Sequence, residues 1–541
     1  MRAPGVKPFG DRAILVEFDD ELSPLANGRA RALARAMRDV RGVQEAIPAL
    51  RSTLIVIDPL DANRDAVVAV AADLAREVAP ETTLAGRDLE VPVVYGGDGG
   101  PDLAEVAATR GLSARELISL HAGEAYTVYM LGFTPGFPYL GLLPEALRIS
   151  RLATPRTRVP AGSVAIADAL SGIYPLQTPG GWRLIGRTPL RIYDPPKADP
   201  ILFRPGDRVR FVPVAHAEFP AEDAVPSLHA PAHPLFEVLE PGLFTTIQDL
   251  GRPGYRHLGM PASGPIDLDA LRVANMMLGN EPGAPAIECT APGPVLRMRD
   301  EHWMVVAGAD LTATLDGAEI ELGQQLRVHT GQEIRFGAPR RGTWAYLALA
   351  GGIDARAVLG SASAYAAGRV GRRLVRGDVI GARRVRGRPM KARLPAEIMR
   401  APSDEISLRV IPGPQEAWFA DGADGFYSSV FRVTVQSDRA GIRLDGPAIT
   451  RRQKEMLSDA MLPGAIQVPP DGKPIVILAD GPTTGGYPKI GVVATVDLPL
   501  VGQARPGTRV RFVRTTVEQA VAALRDREAL IVELRDKGRR G

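Results

Sequence analysis

Cysteine is almost absent: Cys289 is the only one in 541 residues. A disulfide within the chain is excluded, and so is a cysteine-built metal centre. A cytosolic location fits that usage. Long apolar runs are missing too. No stretch approaches the ~18–20 residues of a membrane span. The start, MRAPGVKPFGDRAILVEF, passes straight into a strand pattern with no signal-peptide core. A surplus of charge is also lacking. Lys plus Arg number 65 against 62 Asp plus Glu, with no concentrated basic stripe, so no nucleic-acid footprint is present. GARRVRGRPMKARLP (381–395) is locally basic and reads as a solvated linker. The histidines form no zinc pattern: His229 and His233 are four apart, but in a proline-rich segment and not on a helix. Cys289 itself sits in the apolar AIECTAP and reads as a buried structural thiol.

What the chain does have is core and punctuation. Hydrophobic residues make up 45%, and 57 Gly and 48 Pro are spread between short apolar runs. That texture belongs to many short strands and turns, so most of the protein should be β. The first ninety residues differ. AILVEF (13–18) reads as a strand, and Ser23 caps a helix to about Val40. VQEAIPAL (43–50) and STLIVID (52–58) are adjacent strands, 61–78 is a second helix, and DLEVPVVY (88–95) closes the set. This β-α-β-β-α-β order predicts a ferredoxin-like domain over 1–95; a two-helix module of another topology is the competing reading. Ser113 and Glu116 form a capping-box pattern for a helix over 113–122. Pro135 and Pro138 exclude a helix in TVYMLGFTPGFPYLGLL (127–143), which reads as a buried strand entering an aromatic-lined loop. Two linkers, 217–234 and 386–404, bound a β region at 96–216, a second at 235–385 and a third at 405–541. The third ends in an amphipathic helix over 517–537.

Part of the chain repeats. FRPGDRVRFVPV (203–214) is echoed by ARPGTRVRFVRT (504–515), VPAGSVAI (159–166) by LPGAIQVP (462–469), and TPGGW (178–182) by TTGGY (483–487). Three blocks in one order predict that both regions share one architecture, a small closed β-barrel. Gly-Gly-aromatic reads first as a hairpin turn, where glycine supplies positive φ. A cation follows each turn, Arg183 and Lys489, and cations beside glycine-rich backbone suit a carboxylate or phosphate.

LGFTPGFPYLG, VPAGSVAIA, SGIYP, TPGGWRLIGRTPL and RPGDRVRF together resemble the family of the B-type subunit of bacterial 5-oxoprolinase. TTIQDLGRPGYRHLGMPASGPIDLDALRVANMMLGN (245–280), SDRAGIRLDGP (437–447), PGAIQVPPDGKPIVILAD (463–480) and TTGGYPKIG (483–491) resemble the C-type subunit. The two families also resemble the two halves of the carboxyltransferase region of urea carboxylase and urea amidolyase. The chain thus looks like a B–C fusion joined near 217–234. The resemblance implies an α+β, mostly β fold: a ferredoxin-like piece over 1–95 followed by cyclophilin-like β-barrels over 96–216, 235–385 and 405–541. It implies ATP-dependent opening of 5-oxoproline to glutamate, with lactam activation by phosphorylation here and hydrolysis on a separate A-like subunit. ATP and Mg²⁺ are the implied cofactors.

Such a site needs cations for phosphates, carboxylates for the metal and donors for the substrate carboxylate. The motifs offer Asp438, Arg439, Asp480 and Lys489 as candidate catalytic groups. Tyr174, Trp182, Arg187, Arg443, Gln467, Thr484 and Tyr487 are candidates for substrate, and Arg158, Asp249, Arg252 and Asp267 for nucleotide. No metal ligand is assigned. For any one of them an ion pair, a cap or a turn explains the residue equally well; their concentration in glycine-rich blocks carries the set. Asp267, for example, stands in the first turn of a helix where its charge favours the dipole.

GPTTGGYP (481–488) has the G-x-x-x-x-G frame without the Lys and Ser/Thr of a Walker A loop, so a nucleotide site is unconventional. No biotin-attachment sequence is present; the Met-Lys of PMKA (389–392) lacks the usual flanks. The chain also departs from the family pattern. AIADALSGIYP (165–175) replaces a Gly-Gly-Gln-Thr-Gly run, and SASAYAAG (361–368) lacks a Ser-Thr pairing. Two rival readings stand beside the first: a biotin-dependent carboxyltransferase acting on urea or a related amide, with biotin on another protein, and a regulatory binder resembling an inhibitor of a sporulation histidine kinase. The oligomeric state stays open.

Overall fold

The computed structural model describes residues 3–80, 86–221, 226–385, 402–419, 422–452 and 456–540. Most of the basic 381–395 stretch, including the Met-Lys of PMKA, lies outside them. Among the described residues no helix is long and apolar enough to cross a membrane.

Ala13–Glu17 and Ser52–Ile57 are apolar on both faces, and both faces are covered. They pair antiparallel from Ala13↔Val56 to Glu17↔Ser52, inside a sheet ordered Gly5–Pro8, Ala13–Glu17, Ser52–Ile57, Val43–Pro48. Strand alternation sends Ile14, Val16, Ile55 and Ile57 to a core with two helices, Pro24–Met37 and Arg64–Glu77. The first helix starts where Ser23 Oγ accepts from the Ala26 N–H, and the second where Asn63 Oδ1 accepts from Ala66. The other face, with Leu15, Leu54 and Val56, packs on Tyr129, Ala460, Leu462 and Val492 of the two barrels below.

The ferredoxin-like expectation needs correction. Asp88–Tyr95 does not close this sheet but runs parallel to Arg208–Pro213 in a barrel. The edge beside Ala13–Glu17 is filled instead by Gly5–Pro8. A hairpin partner a few residues away closes a much shorter loop than a strand returning from residue 88. Val91 and Val93 find full burial inside the barrel.

That barrel is closed by seven strands in the order Leu170–Ile173, Pro138–Gly141, Ala125–Leu131, Arg208–Pro213, Asp88–Tyr95, Arg183–Arg187 and Ser163–Ala167. A second closed barrel runs Ile475–Ile477, Gly441–Asp445, Val430–Val433, Arg509–Arg514, Glu405–Pro412, Lys489–Val493 and Ala465–Gln467. Position by position, the chain follows the same path. In each barrel the first strand pairs parallel with the last, Asp88↔Arg208 and Glu405↔Arg509. Each also carries a two-stranded flap holding its Gly-Gly turn: Thr178–Gly180 with Arg156–Val159, and Thr484–Gly485 with Asp459–Ala460. The repeat read from three short blocks is therefore a repeat of topology.

The 235–385 region, expected as a barrel, is instead a six-stranded and a five-stranded sheet. Phe236, Leu296, Met298 and Ile334 of the first meet Ile287, Met304, Val306 and Leu347 of the second in one core, where Cys289 is fully buried. On the far face of the five-stranded sheet, Val305, Ala307 and Tyr346 pack on the helix Leu268–Met277, and that core continues into the second barrel. The closing helix spans Val517–Arg540; its Ala520 packs on Ile411, Ala494 and Val496.

Ser113 and Glu116 cap the helix Ala114–Gly123 reciprocally, at 2.8 and 3.2 Å. That helix lays Leu117 and His121 onto the first barrel. His121 is fully buried, stacks on Phe211 at 4.4 Å, and bonds the Tyr95 hydroxyl at 2.7 Å and Ser171 Oγ at 3.0 Å. Burial pushes its imidazole down to about 3. The unfolded chain takes up this proton below ~6.5 and the folded chain refuses it, so stability is complete above that pH and is lost as pH falls toward 3. Between pH 6.5 and 5 the loss is about 2 kcal/mol. Urea melts at pH 7 and pH 5 are expected to differ by about that much more in the wild type than in His121→Gln.

Candidate functional site

The SDRAG turn aims Arg439 inward. Asp438 is exposed, and its Oδ1 accepts from the Ala440 and Gly441 N–H groups at 2.8 and 3.2 Å, an Asx-type turn. Arg439 is 4% exposed and is gripped on every side. Its Nε reaches Asp480 Oδ2 at 2.8 Å and its Nη2 reaches Asp480 Oδ1 at 3.1 Å. Nη1 donates to Glu288, and Nη2 donates to the Gly264 carbonyl at 2.7 Å. Glu288 is fully buried and also accepts from the Tyr346 hydroxyl at 2.6 Å and the Ile266 N–H at 2.9 Å. The Tyr346 oxygen in turn accepts from the Asp267 N–H at 2.8 Å. Asp267 caps its helix at Ala270, 3.0 Å, and takes the Gln503 amide at 2.9 Å.

This chain of contacts joins the five-stranded sheet to the second barrel through buried, mutually satisfied groups. Burial works against the Arg439 charge, yet Asp480 and Glu288 outweigh it and hold the guanidinium protonated. Burial and Asp269 push Asp267 up to about 6. Burial likewise raises Glu288 and the Cys289 thiol, so Cys289 stays neutral.

Asp249 plays a comparable part for the SASA loop. Its oxygens accept from Gly251 N at 2.9 Å, Ser361 Oγ at 2.5 Å, Ser363 Oγ at 2.7 Å and Ala362 N at 2.7 Å. Arg252, almost fully buried, donates to the carbonyls of Ser363 and Val358.

A second group gathers where the two barrels and the N-terminal sheet meet. Thr484 Oγ1 accepts from the Phe133 N–H at 2.8 Å. Gly132 beside it leaves no room for a side chain: a Cβ there would lie 2.2 Å from Thr484 Cγ2. The buried Tyr139 hydroxyl bonds Thr484 and Ser458. Asp459 accepts from Ser52 Oγ of the N-terminal sheet. Lys489 is fully buried, and its Nζ has no hydrogen-bond partner among the described residues. Burial lowers its pKa against the pull of Asp459 and Glu17. Gln467 faces Lys489 across the ladder and donates to the Tyr487 carbonyl at 3.4 Å.

The two Gly-Gly-aromatic turns part company here. Trp182 and Tyr174 belong to the core: Phe137 lies 5.4 Å from Trp182 and 5.2 Å from Tyr174, and Tyr174 takes a backbone bond from Trp182. Tyr487 is 43% exposed and lines a cleft of about 770 Å³ with Arg451 and Asp471. On the first barrel, Arg187 donates to the Ala161 carbonyl at 2.9 Å and lies over Phe219, and the exposed Arg158 donates to Gln177 at 2.6 Å. Arg443 is exposed on the 441–445 strand.

The candidates thus separate. Asp267, Arg439 and Asp480 share one network; Gln467, Thr484 and Lys489 gather at the barrel junction, with Tyr487 turned outward to its cleft; Arg158 and Arg187 stand on the first barrel. Among the described residues no group of three His, Cys, Asp or Glu could hold a metal ion. Sequence reading missed Glu288, Tyr346, Gln503, Tyr139 and Asp459. A charge inside the apolar AIECT run was a usable signal for Glu288; Ser52 had none.

Removing Arg439 strands two buried carboxylates, which costs about 3–5 kcal/mol. Arg439→Met is expected to lower the thermal midpoint sharply, whereas Arg443→Met on the exposed strand leaves it near wild type; differential scanning calorimetry of both variants checks this.

Known proteins are similar to this chain in sequence and in architecture. The family described as "Carboxyltransferase domain, subdomain C and D" matches residues 4–203, and "Carboxyltransferase domain, subdomain A and B" matches 258–514. The B-type subunit of 5-oxoprolinase from Escherichia coli O157:H7 is 46% identical over 208 residues, 38% of this chain and 94% of that protein. The C-type subunit of 5-oxoprolinase from Escherichia coli K12 is 34% identical over 306 residues, 56% of this chain and 97% of that protein. The crystal structure of TTHA0988 superposes with a TM-score of 0.84 at 40% identity, covering 93% of this chain and 99% of that one. The chain therefore belongs to the families of the B-type and C-type subunits of 5-oxoprolinase, one in each half of a single polypeptide.

Proposed function

We propose that this protein is the fused B–C component of an ATP-dependent 5-oxoprolinase, acting with a separate A-like subunit. The observation that carries the reading is the match to both subunits along nearly their whole lengths, 94% and 97%.

The chemistry calls for an activated lactam, because an amide carbonyl is a poor electrophile. Transfer of the γ-phosphoryl group of ATP to the lactam oxygen leaves ADP and turns that oxygen into a leaving group. Water then adds to the ring carbon and the C–N bond opens with a proton going to nitrogen, which leaves an acyl phosphate; a second water cleaves that acyl phosphate to glutamate and inorganic phosphate. Such transfer relies on positioning and on fixed charge where negative charge develops. Lys489 suits that role: a cation with no acceptor among the described residues, between the second barrel's flap and the N-terminal sheet. The four residues assigned to nucleotide do not make one Mg²⁺ or ATP site. Asp249 and Asp267 already hold protein donors, and Arg158 stands on the exposed barrel face.

The test combines the full chain with an A-like subunit, ATP, Mg²⁺ and 5-oxoproline. Glutamate and ADP are expected to appear together, dependent on 5-oxoproline; absence of both sinks the proposal. Carboxylation of urea in the presence of a biotin carrier would instead support the carboxyltransferase reading. Lys489→Met is expected to cut turnover by about 100-fold. It should keep or raise the thermal midpoint, because it removes a buried charge without a partner.

A further inference from the structure

Four buried side-chain atoms without a hydrogen-bond partner among the described residues stand on segments that touch one another: Arg252 Nη1, Ser263 Oγ, Thr134 Oγ1 and Thr483 Oγ1. Arg252 and Ser263 belong to adjoining strings, since the Arg252 N–H donates to the Ala262 carbonyl at 2.7 Å. The Phe133–Thr484 hydrogen bond brings together the segments that carry Thr134 and Thr483, the neighbours of its two ends. The remaining links are equally direct. A Cβ on Gly259 would lie 2.6 Å from the Thr134 carbonyl. Arg439 ties Gly264 to Asp480, three residues before Thr483. Tyr365 and Asp480 both lie within electrostatic reach of Arg252.

The carboxylates in this neighbourhood are engaged. Asp249 takes four donors, Asp480 gives both oxygens to Arg439, and Glu288 holds Arg439, Tyr346 and Ile266. Nε and Nη2 of Arg252 are directed to Val358 and Ser363. The Nη1 edge has no acceptor among the described residues and is open to one supplied by a ligand. Arg439 is engaged by Asp480, Glu288 and the Gly264 carbonyl, so Arg252 offers a single guanidinium edge, too few donors for a dianion. A monoanionic carboxylate suits one guanidinium edge backed by hydroxyls.

We infer that this junction, between the B-like and C-like halves, binds the carboxylate of a small cyclic acid, with Arg252 Nη1 as its anchor and Ser263, Thr134 and Thr483 as hydroxyl partners. The ligand's identity as a lactam acid rests on the function proposed above. Arg252 then serves substrate binding, and the nucleotide lies elsewhere.

Calorimetric titration of the full chain tests the site with three probes: 5-oxoproline, 2-pyrrolidone, which lacks the carboxylate, and inorganic phosphate. 5-oxoproline is expected to bind at least ten-fold more tightly than 2-pyrrolidone. Arg252→Lys should weaken it ten-fold or more, and Ser263→Ala and Thr483→Val several-fold, each with an unchanged circular dichroism spectrum. Thr483→Val keeps the shape and removes only the hydroxyl, so it serves if Arg252→Lys fails to fold. Equal affinity for the two lactams, no binding of the acid, Arg252-dependent binding of phosphate in its place, or unchanged affinity in Arg252→Lys and Thr483→Val would each overturn the site. Turnover with the A-like subunit is scored separately. Arg252-dependent binding without glutamate formation leaves the site and sinks the proposed function. Full turnover by Arg252→Lys does the reverse.

Discussion

The ion pairs of Arg439 hold the C-terminal half of the molecule in one piece. A single guanidinium reaches Asp480 of the second barrel, Glu288 of the five-stranded sheet and the Gly264 carbonyl ahead of the Leu268–Met277 helix. Each of those partners is fixed by others, so the positions of the helix, the sheet and the barrel are set together. A buried charge costs least where partners meet it, and here Nε, Nη1 and Nη2 of Arg439 each have one. The segments carrying Arg252, Ser263 and Thr483 all lead away from this clamp. It fixes the segments on which their unpartnered polar atoms stand.

Two barrels with one path have been put to different uses. In the first, the aromatic after Gly-Gly turns into the core and packs on Phe137; in the second, its counterpart Tyr487 turns outward to a cleft. The cations after the turns diverge as well. Arg183 pairs with Glu105 at 2.6 Å, whereas Lys489 is buried without a partner among the described residues. An ancestral barrel can keep its ladder while one copy becomes scaffold, because register depends on the alternating strand residues and not on what the flap holds.

Much of this was legible in the sequence because it is local or periodic. The capping box at Ser113 and Glu116, the Ser23 cap and the three repeated blocks each carry their own geometry. What failed was partner choice. DLEVPVVY is a strand by composition, but nothing within it says whether it joins Ala13–Glu17 or Arg208–Pro213. Gly5–Pro8, a short segment ending in proline, took the edge. The two-sheet form of 235–385 was hidden for the same reason. Site residues followed a similar rule. Arg439 and Asp480 stood out in glycine-rich motifs, while Trp182 and Tyr487 looked alike because burial of an aromatic depends on what packs against it. Tyr346 and Gln503 act through bonds to residues more than fifty positions away, which no local pattern records.

In each barrel the first and last strands lie side by side and parallel. A barrel built this way is entered and left by neighbouring strands, so it can be joined to another unit without disturbing any ladder. The segment between Pro213 and Pro234 needs only to reach from one module to the next, and severing it would cut none of the strand pairs on either side. One gene or two can thus encode the same assembly, with the tether setting local concentration and the buried interface setting the geometry.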